Sequence, residues 1–444
     1  MHRPKQCHGF NLLKMKNILL FLVLSASSLI AQTTATQKSS FLSDAPPESV
    51  GMSSERLQRM DAFLQKSVDQ KEIPGAVAII CRNGKIIYHK AFGSADNTAG
   101  RAMKTDDIFR IASMSKAITS TAVMMLWEQG LFQLDDPISK YIPEFKNPSV
   151  LDSLKMSDTT YTVKSAGKEI TIRHLLTHTS GLGYGVIDGD PRFRAMYKKA
   201  GIVDLFTTES IKIGENIRKL AKLPLHHVPG EKFVYSEGLD VLGYFIEIIS
   251  GMPFDVYLKT QIFDPLSMND TYFYLPDLKA NRLVKIQTKT GDKWTSFTDN
   301  FYDPDYPIKG AKMFFSGGAG LSSTAKDYAT FLQMYLNSGE LNGKRLLSRK
   351  TIESMMMNQI GTLLGGEKSD QNHGLAFGLV TEKGAAKGGA GSEGTFTWGG
   401  YFNTNYFADP KEKIIGVIMK QTQKINDDNN SGKFRALIMQ AVNN

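Results

Sequence analysis

The chain has 444 residues, 41% hydrophobic and 22% charged, the balance of a folded globular protein rather than a disordered or fibrous one. Its formal charge is +9, but Arg3, Lys5, Lys14 and Lys16 lie in the first 31 residues, which hold no acid, so the remainder carries +5. A charge that modest, without basic clusters, argues against nucleic acid as a partner. Two cysteines, Cys7 and Cys81, offer no disulfide framework.

In chain order, residues 1–31 read as an export signal. Lys14 and Lys16 form its basic region, Ile18 to Leu24 its apolar core, and Ala26 to Ala31 a small-residue exit. Met15-Lys16-Asn17-Ile18 is itself a normal signal beginning, which makes Met15 a candidate true start. The apolar core is too short for a transmembrane helix and no later run is long enough, so no stable membrane anchor is expected after cleavage. The protein is expected to be exported, to the periplasm or beyond. Residues 32–45, rich in Thr, Ser, Gln and Ala, read as a disordered leader, and 46–444 as the folded domain.

Within that domain, Gly75 to Cys81 and Ile86 to Tyr88 flank Asn83-Gly84, the strongest short-range hairpin signal. Cys81 falls in the apolar run and is expected to be inert core. Helical patterns occupy 113–129, 171–177, 238–250 and 325–338. Thr395 to Ala408 and Ile414 to Met419 are strand-like, split by the turn Asp409-Pro410-Lys411-Glu412, and an amphipathic helix near Lys433 to Val442 closes the chain. The order implies an α+β fold. One antiparallel sheet flanked by helices is built from both chain ends, about 46–105 and 325–444, with a mostly helical part, about 106–324, inserted between them.

Ser113-Met114-Ser115-Lys116 opens the first of those helical patterns. Positions i and i+3 share a helix face, so the lysine amine reaches back to the serine hydroxyl. A serine becomes nucleophilic when a base takes its proton, and a neutral lysine is such a base. Burial disfavours an ammonium, which suits a lysine at the head of a helix as apolar as Ile118 to Trp127. The free N–H groups of the helix N-terminus add a positive potential for a developing oxyanion. Tyr235-Ser236-Glu237 follows the turn Val228-Pro229-Gly230 and precedes a helix, so Tyr235 is held rigidly and its phenol can relay protons. Trp398-Gly399-Gly400-Tyr401 reads as a strand with glycines that permit close approach, and the Tyr401 N–H can join that of Ser113 as an oxyanion hole.

Together these motifs resemble the serine β-lactamase and penicillin-binding-protein superfamily, from about Pro46 to the C-terminus. Supporting stretches are Ile172-Arg173-His174-Leu175-Leu176-Thr177-His178-Thr179-Ser180-Gly181-Leu182, Gly317-Gly318-Ala319-Gly320-Leu321-Ser322-Ser323 and Pro265-Leu266-Ser267-Met268. The resemblance implies a β-lactamase-like fold and acylation of Ser113, with Lys116 and Tyr235 shuttling the proton and the N–H groups of Ser113 and Tyr401 holding the oxyanion. It implies no cofactor and no metal. Two departures stand out. Glu237 follows Tyr-Ser where class C β-lactamases often carry asparagine, and Trp398-Gly399-Gly400 stands where Lys-Thr-Gly or His-Thr-Gly is usual. Loss of that cation removes a partner for a β-lactam or peptide carboxylate. The pattern is more similar to the family VIII carboxylesterases. Trp398, Gly399, Gly400 and Glu237 are then expected to contact substrate, with Asp240 behind them or serving as a helix N-terminal acid.

Lys289-Thr290-Gly291 is a literal Lys-Thr-Gly but lies in a polar hairpin context, ahead of the Gly317-Gly318 stretch it should follow. His174 and His178 stand at a metal-binding spacing, yet no acid or third ligand accompanies them and they read as structural histidines. His226-His227 carries no further signal, and no Gly-x-Ser-x-Gly elbow is present. The expected function is a secreted serine hydrolase that cleaves small carboxylic esters through an acyl-enzyme. The alternatives are a DD-peptidase, D-aminopeptidase or weak β-lactamase on the same scaffold, or a slow-turnover penicillin-binding protein.

Overall fold

Asn83 and Gly84 take φ of 51° and 75°, the two positive values of a type I′ turn, whose twist matches the strands it joins. That reversal starts the central sheet. The computed structural model describes residues 1–2, 42–298, 301–375, 377–423 and 430–443. The expected signal core and most of the expected leader lie outside them.

The sheet has nine strands: β1 (Ser43–Asp44), β2 (Gly75–Arg82), β3 (Lys85–Asp96), β4 (Arg101–Ala102), β5 (Gln371–His373), β6 (Gly378–Val380), β7 (Phe396–Gly399), β8 (Asn405–Asp409) and β9 (Ile414–Met419). Their order is β1-β3-β2-β9-β8-β7-β6-β5, with β4 on β3. The expectation of one sheet from both chain ends holds, with a correction at the edge. Ser43 and Asp44 pair with Lys85 and Ile86 in parallel, so the sheet is mixed and the expected leader runs too far. The open edge of β3 offers unpaired backbone groups, and residues 43–45 satisfy them, including an Ala45 N–H to Ile86 carbonyl bond of 3.0 Å. A second correction concerns Thr395 to Ala408, which is two strands. Gly400 N–H bonds the Thr404 carbonyl at 2.8 Å and Asn403 takes φ 65°, which together close a turn between β7 and β8.

Every residue of β2 and β9 is buried, because helices cover both faces of the sheet and successive side chains alternate between them. Ala76, Ala78, Ile80, Ile414 and Ile418 pack under α1 (Ser54–Asp69) and the C-terminal helix Asn430–Met439, through Leu57, Met60, Leu64, Phe434 and Ile438. Val77, Ile79, Cys81, Ile415, Val417 and Met419 face the opposite layer. Each large aliphatic side chain so buried contributes about 1.5–3 kcal/mol. Burial also pushes the Cys81 thiol up, so it stays protonated and inert.

The inserted part carries α2 (Ser115–Glu128), α3 (Ile172–Leu176), α4 (Pro191–Ala200) and α5 (Gly238–Ser250). It also holds the hairpins 149–165 and 287–296, which the sequence pattern left as mostly helical. Its two borders meet where Phe109–Arg110 pairs with Ser322–Ser323, just before the next long helix, α6 (Ala325–Leu336). That junction carries Ser113. Among the described residues no single helix is long and apolar enough to cross a membrane.

Candidate active site

Ser113 is placed by its neighbours on both sides. The Ile111 N–H donates to the Leu321 carbonyl at 3.0 Å, which extends the strand pair to the edge of the site. Ala112 then takes φ 42°, a left-handed conformation that costs an L-residue about 1–2 kcal/mol. The sharp turn feeds a 3₁₀ turn, Ala112–Met114, into α2. Ser113 therefore lies two residues ahead of the α-helix and Lys116 in its first turn. The Tyr328 hydroxyl fixes this entry by donating to the Met114 carbonyl at 2.9 Å.

Lys116 is 1% exposed. Its Nζ lies 3.3 Å from Ser113 Oγ and donates to the Gly318 carbonyl at 2.8 Å. Among the described residues it makes no ion pair. Two aromatic rings lie near the amine instead, with Tyr235 at 4.6 Å and Tyr184 at 5.5 Å to the centroids. Asp240 orients the loop that faces the lysine. Its Oδ1 accepts from Ser316 Oγ at 2.5 Å and from the Gly318 N–H at 3.2 Å. Asp240 lies in the first turn of α5 and its carboxylate also holds the Lys116 acceptor loop. A side chain at Gly318 would strike Asp240 Oδ2, so the glycine permits the approach.

Tyr235 is half-buried and packs against His178 (4.6 Å between centroids), Tyr184 (5.4 Å) and Trp398 (5.9 Å). Trp398 and Gly399 belong to β7, whereas Gly400 and Tyr401 lie in the turn that follows. The strand-edge placement expected for Tyr401 is thus corrected. The turn still abuts the serine segment, because a Cβ at Gly400 would stand 2.5 Å from the Ile111 carbonyl. Ser113, Tyr235, Trp398, Gly399, Gly400 and Tyr401 share a partly exposed surface, over a floor of buried Lys116, Tyr184 and Asp240.

Glu237 departs from the substrate contact expected of it. It is 1% exposed and faces Asp204, itself 3% exposed. Burial, then the Asp204 charge and a hydrogen bond to it, push the Glu237 carboxyl well above its ordinary range. Burial also raises Asp240, opposed by its Ser316 bond and by Lys116. The decoy Lys289-Thr290-Gly291 lies on an exposed hairpin, with Gly291 at φ 58° in its turn. His174 closes a capping box with Thr171, and burial depresses its imidazole to about 4.

A family model described as Beta-lactamase matches residues 60–440. Esterase EstB of Burkholderia gladioli is 32% identical over 380 residues, spanning 82% of this chain and 90% of that one. This chain belongs to the β-lactamase family. It is a serine hydrolase of that family, with the β-lactamase-like fold. EstCE1, a structure described as a hydrolase with promiscuous acyltransferase activity, superposes with a TM-score of 0.73 at 27% identity, covering 88% of this chain and 98% of that one. A putative D-alanyl-D-alanine carboxypeptidase of Escherichia coli (strain K12) is 28% identical, spanning 76% of each chain.

Sequence reasoning about this β-lactamase-family chain missed Tyr184, the Gly318 carbonyl and Asp204. Tyr184 adjoins and Gly318 lies within stretches that carried the resemblance, yet nothing in a sequence says which carbonyl a lysine will meet. Asp204 left no signal, since its role comes from a neighbour 33 positions away.

Proposed function

We propose that the protein is an exported carboxylesterase acting on small esters through an acyl-enzyme on Ser113. The observation that carries this reading is Lys116 Nζ, buried and 3.3 Å from Ser113 Oγ. In its neutral form the amine accepts the serine proton as Oγ bonds to the ester carbonyl carbon. The carbonyl oxygen becomes an oxyanion, held by the N–H groups of Ser113 and Tyr401. As the C–O ester bond breaks, the proton passes through Tyr235 to the departing alkoxide. Water then attacks the acyl-enzyme, giving its proton to the same groups, and Ser113 leaves with that proton restored.

Esters rather than carboxylate-bearing amides are supported by Trp398, a neutral indole 5.9 Å from Tyr235 where the Lys-Thr-Gly cation is usual. The naming of EstB as an esterase and of EstCE1 as a hydrolase accords with this. Export rests on the basic, apolar and small-residue succession of residues 1–31, and cell fractionation tests it.

The deciding experiment is hydrolysis of p-nitrophenyl acetate and butyrate by the purified chain beside Ser113→Ala. Turnover that vanishes with Ser113 is expected, and turnover that survives the substitution refutes the nucleophile. No ester turnover, together with a stable mass increase from a fluorescent penicillin, would replace the esterase reading by a slow penicillin-binding protein. Lys116→Ala is expected to lose on the order of 10³-fold or more in kcat, and Tyr235→Phe on the order of 10²-fold, as general acid–base groups do.

A further inference from the structure

We propose that His178 is the positioning residue for Tyr235, holding the phenol over Lys116. The inference rests on the role given to Tyr235 above. One residue grips the chain on both sides of that tyrosine. The Val234 N–H donates to the His178 carbonyl at 2.9 Å, and the Ser236 N–H donates to His178 Nδ1 at 3.3 Å. Ser236 Oγ also lies 3.3 Å from Nδ1. Between those anchors the imidazole packs on the Tyr235 ring, centroid to centroid 4.6 Å. Tyr235 is thus bound at the residue before it, at the residue after it and across its ring.

His178 accepts strain to do this. Its φ is 55°, a left-handed conformation uncommon outside glycine, though less so for Asn, Asp and His, and such strain persists only where the surroundings over-determine it. The surroundings are aromatic. Phe233 lies 5.7 Å from the imidazole and His373 lies 5.6 Å from it, each centroid to centroid. His178 is 1% exposed, and burial, reinforced by His373 and Lys116, keeps the ring uncharged well below its ordinary range. Accepting the Ser236 N–H at Nδ1 then puts the ring proton on Nε2. A neutral ring suits this place, because an imidazolium would lose its acceptor at Nδ1. His174 and His178 each use Nδ1 to accept a backbone N–H, of Thr171 and of Ser236.

The test is a double-mutant cycle between His178→Phe and Tyr235→Phe, with His178→Asn as the conservative variant, measured as kcat and KM on p-nitrophenyl butyrate. Phenylalanine keeps a ring and removes the acceptor, whereas asparagine tolerates the left-handed backbone and presents an oxygen near the place of Nδ1. His178→Phe is expected to lower kcat on the order of 10–100-fold, the cost of a misplaced catalytic group, with KM changed less than about threefold. His178→Asn should restore part of that loss. In the Tyr235→Phe background the same His178→Phe change should cost less than about threefold, because the hydroxyl it positions is gone. Equal losses in both backgrounds would show a general packing role and overturn the proposal. Should His178→Phe not fold, the cycle is run with His178→Ala, which also removes the acceptor, and equal losses in the parent and Tyr235→Phe backgrounds equally overturn it. If Ser113→Ala retains turnover, the underlying mechanism fails instead, and the two failures are told apart.

Discussion

Gly400→Ala tests the contact between the β7–β8 turn and the serine segment. The new Cβ would stand 2.5 Å from the Ile111 carbonyl oxygen. Carbon–oxygen contacts settle at about 3.3 Å or more, so the turn must retreat by about 0.8 Å. Thr404 Oγ1, on a buried side chain, is in the way as well, and Ile111 is backbone that leads directly into Ala112 and Ser113. The retreat therefore falls on the next N–H in the chain, that of Tyr401. An oxyanion donor displaced by that much is expected to cost on the order of 10–100-fold in kcat, less than the 10²–10³ of complete removal. KM for p-nitrophenyl acetate should stay within about threefold, since the loss is confined to the transition state. Gly432→Ala, in the C-terminal helix, is the control. Its Cβ meets nothing within 4 Å, and kcat should hold within about twofold. Thermal denaturation of both variants confirms that they are folded at the assay temperature. A Gly400→Ala protein that melts and turns over like the parent would refute the placing of the oxyanion at Tyr401.

Asp240→Ala should strand the Ser316 hydroxyl and the Gly318 N–H, lowering stability by about 2–4 kcal/mol in urea denaturation and kcat with it, as the Lys116 acceptor loop loosens. Glu237 makes stability fall with rising pH. Its folded pKa lies above the unfolded value of 4.5, so the folded state holds the extra proton and the advantage present below that value is lost as pH climbs through the folded pKa. Glu237→Gln should therefore stabilise the protein increasingly as pH rises above 4.5, read as the gap between the two melting temperatures, and a pH-independent gap would contradict the raised Glu237 carboxyl. Trp398→Lys restores a cation beside Tyr235, and inhibition of ester hydrolysis by nitrocefin should strengthen about tenfold, the worth of one charge-assisted hydrogen bond. Unchanged inhibition would mean that position 398 does not face the carboxylate.

Much of the site was legible because its chemistry is local. Ser113 and Lys116 are three residues apart, and the apolar helix behind them announces burial. The Asn83-Gly84 reversal and the alternation along β2 made the sheet readable from both chain ends. What misled was also local. Thr395 to Ala408 looks like one strand because Phe402 is as apolar as its neighbours, yet it is buried in a turn, among the aromatic rings of Phe206 and Tyr302. Glu237 looked like a substrate contact by its place after Tyr-Ser, whereas its side chain turns inward to Asp204. His178 looked like simple core, and only the hydrogen bonds of Val234 and Ser236 show what it grips.

The amino-acid sequence by itself pointed to Ser113, Lys116 and Tyr235 as candidates and to the two-ended sheet, because short spacings and alternating burial are written in neighbouring residues. Tertiary structure alone decided which carbonyl receives Lys116, which acid orients that carbonyl, and which turn meets the serine. Gly318 lies 202 positions from Lys116, Asp240 lies 78 from Gly318, and Gly400 nearly 300 from Ile111. Contacts at such separations are set by how layers pack, and packing depends on the whole chain at once.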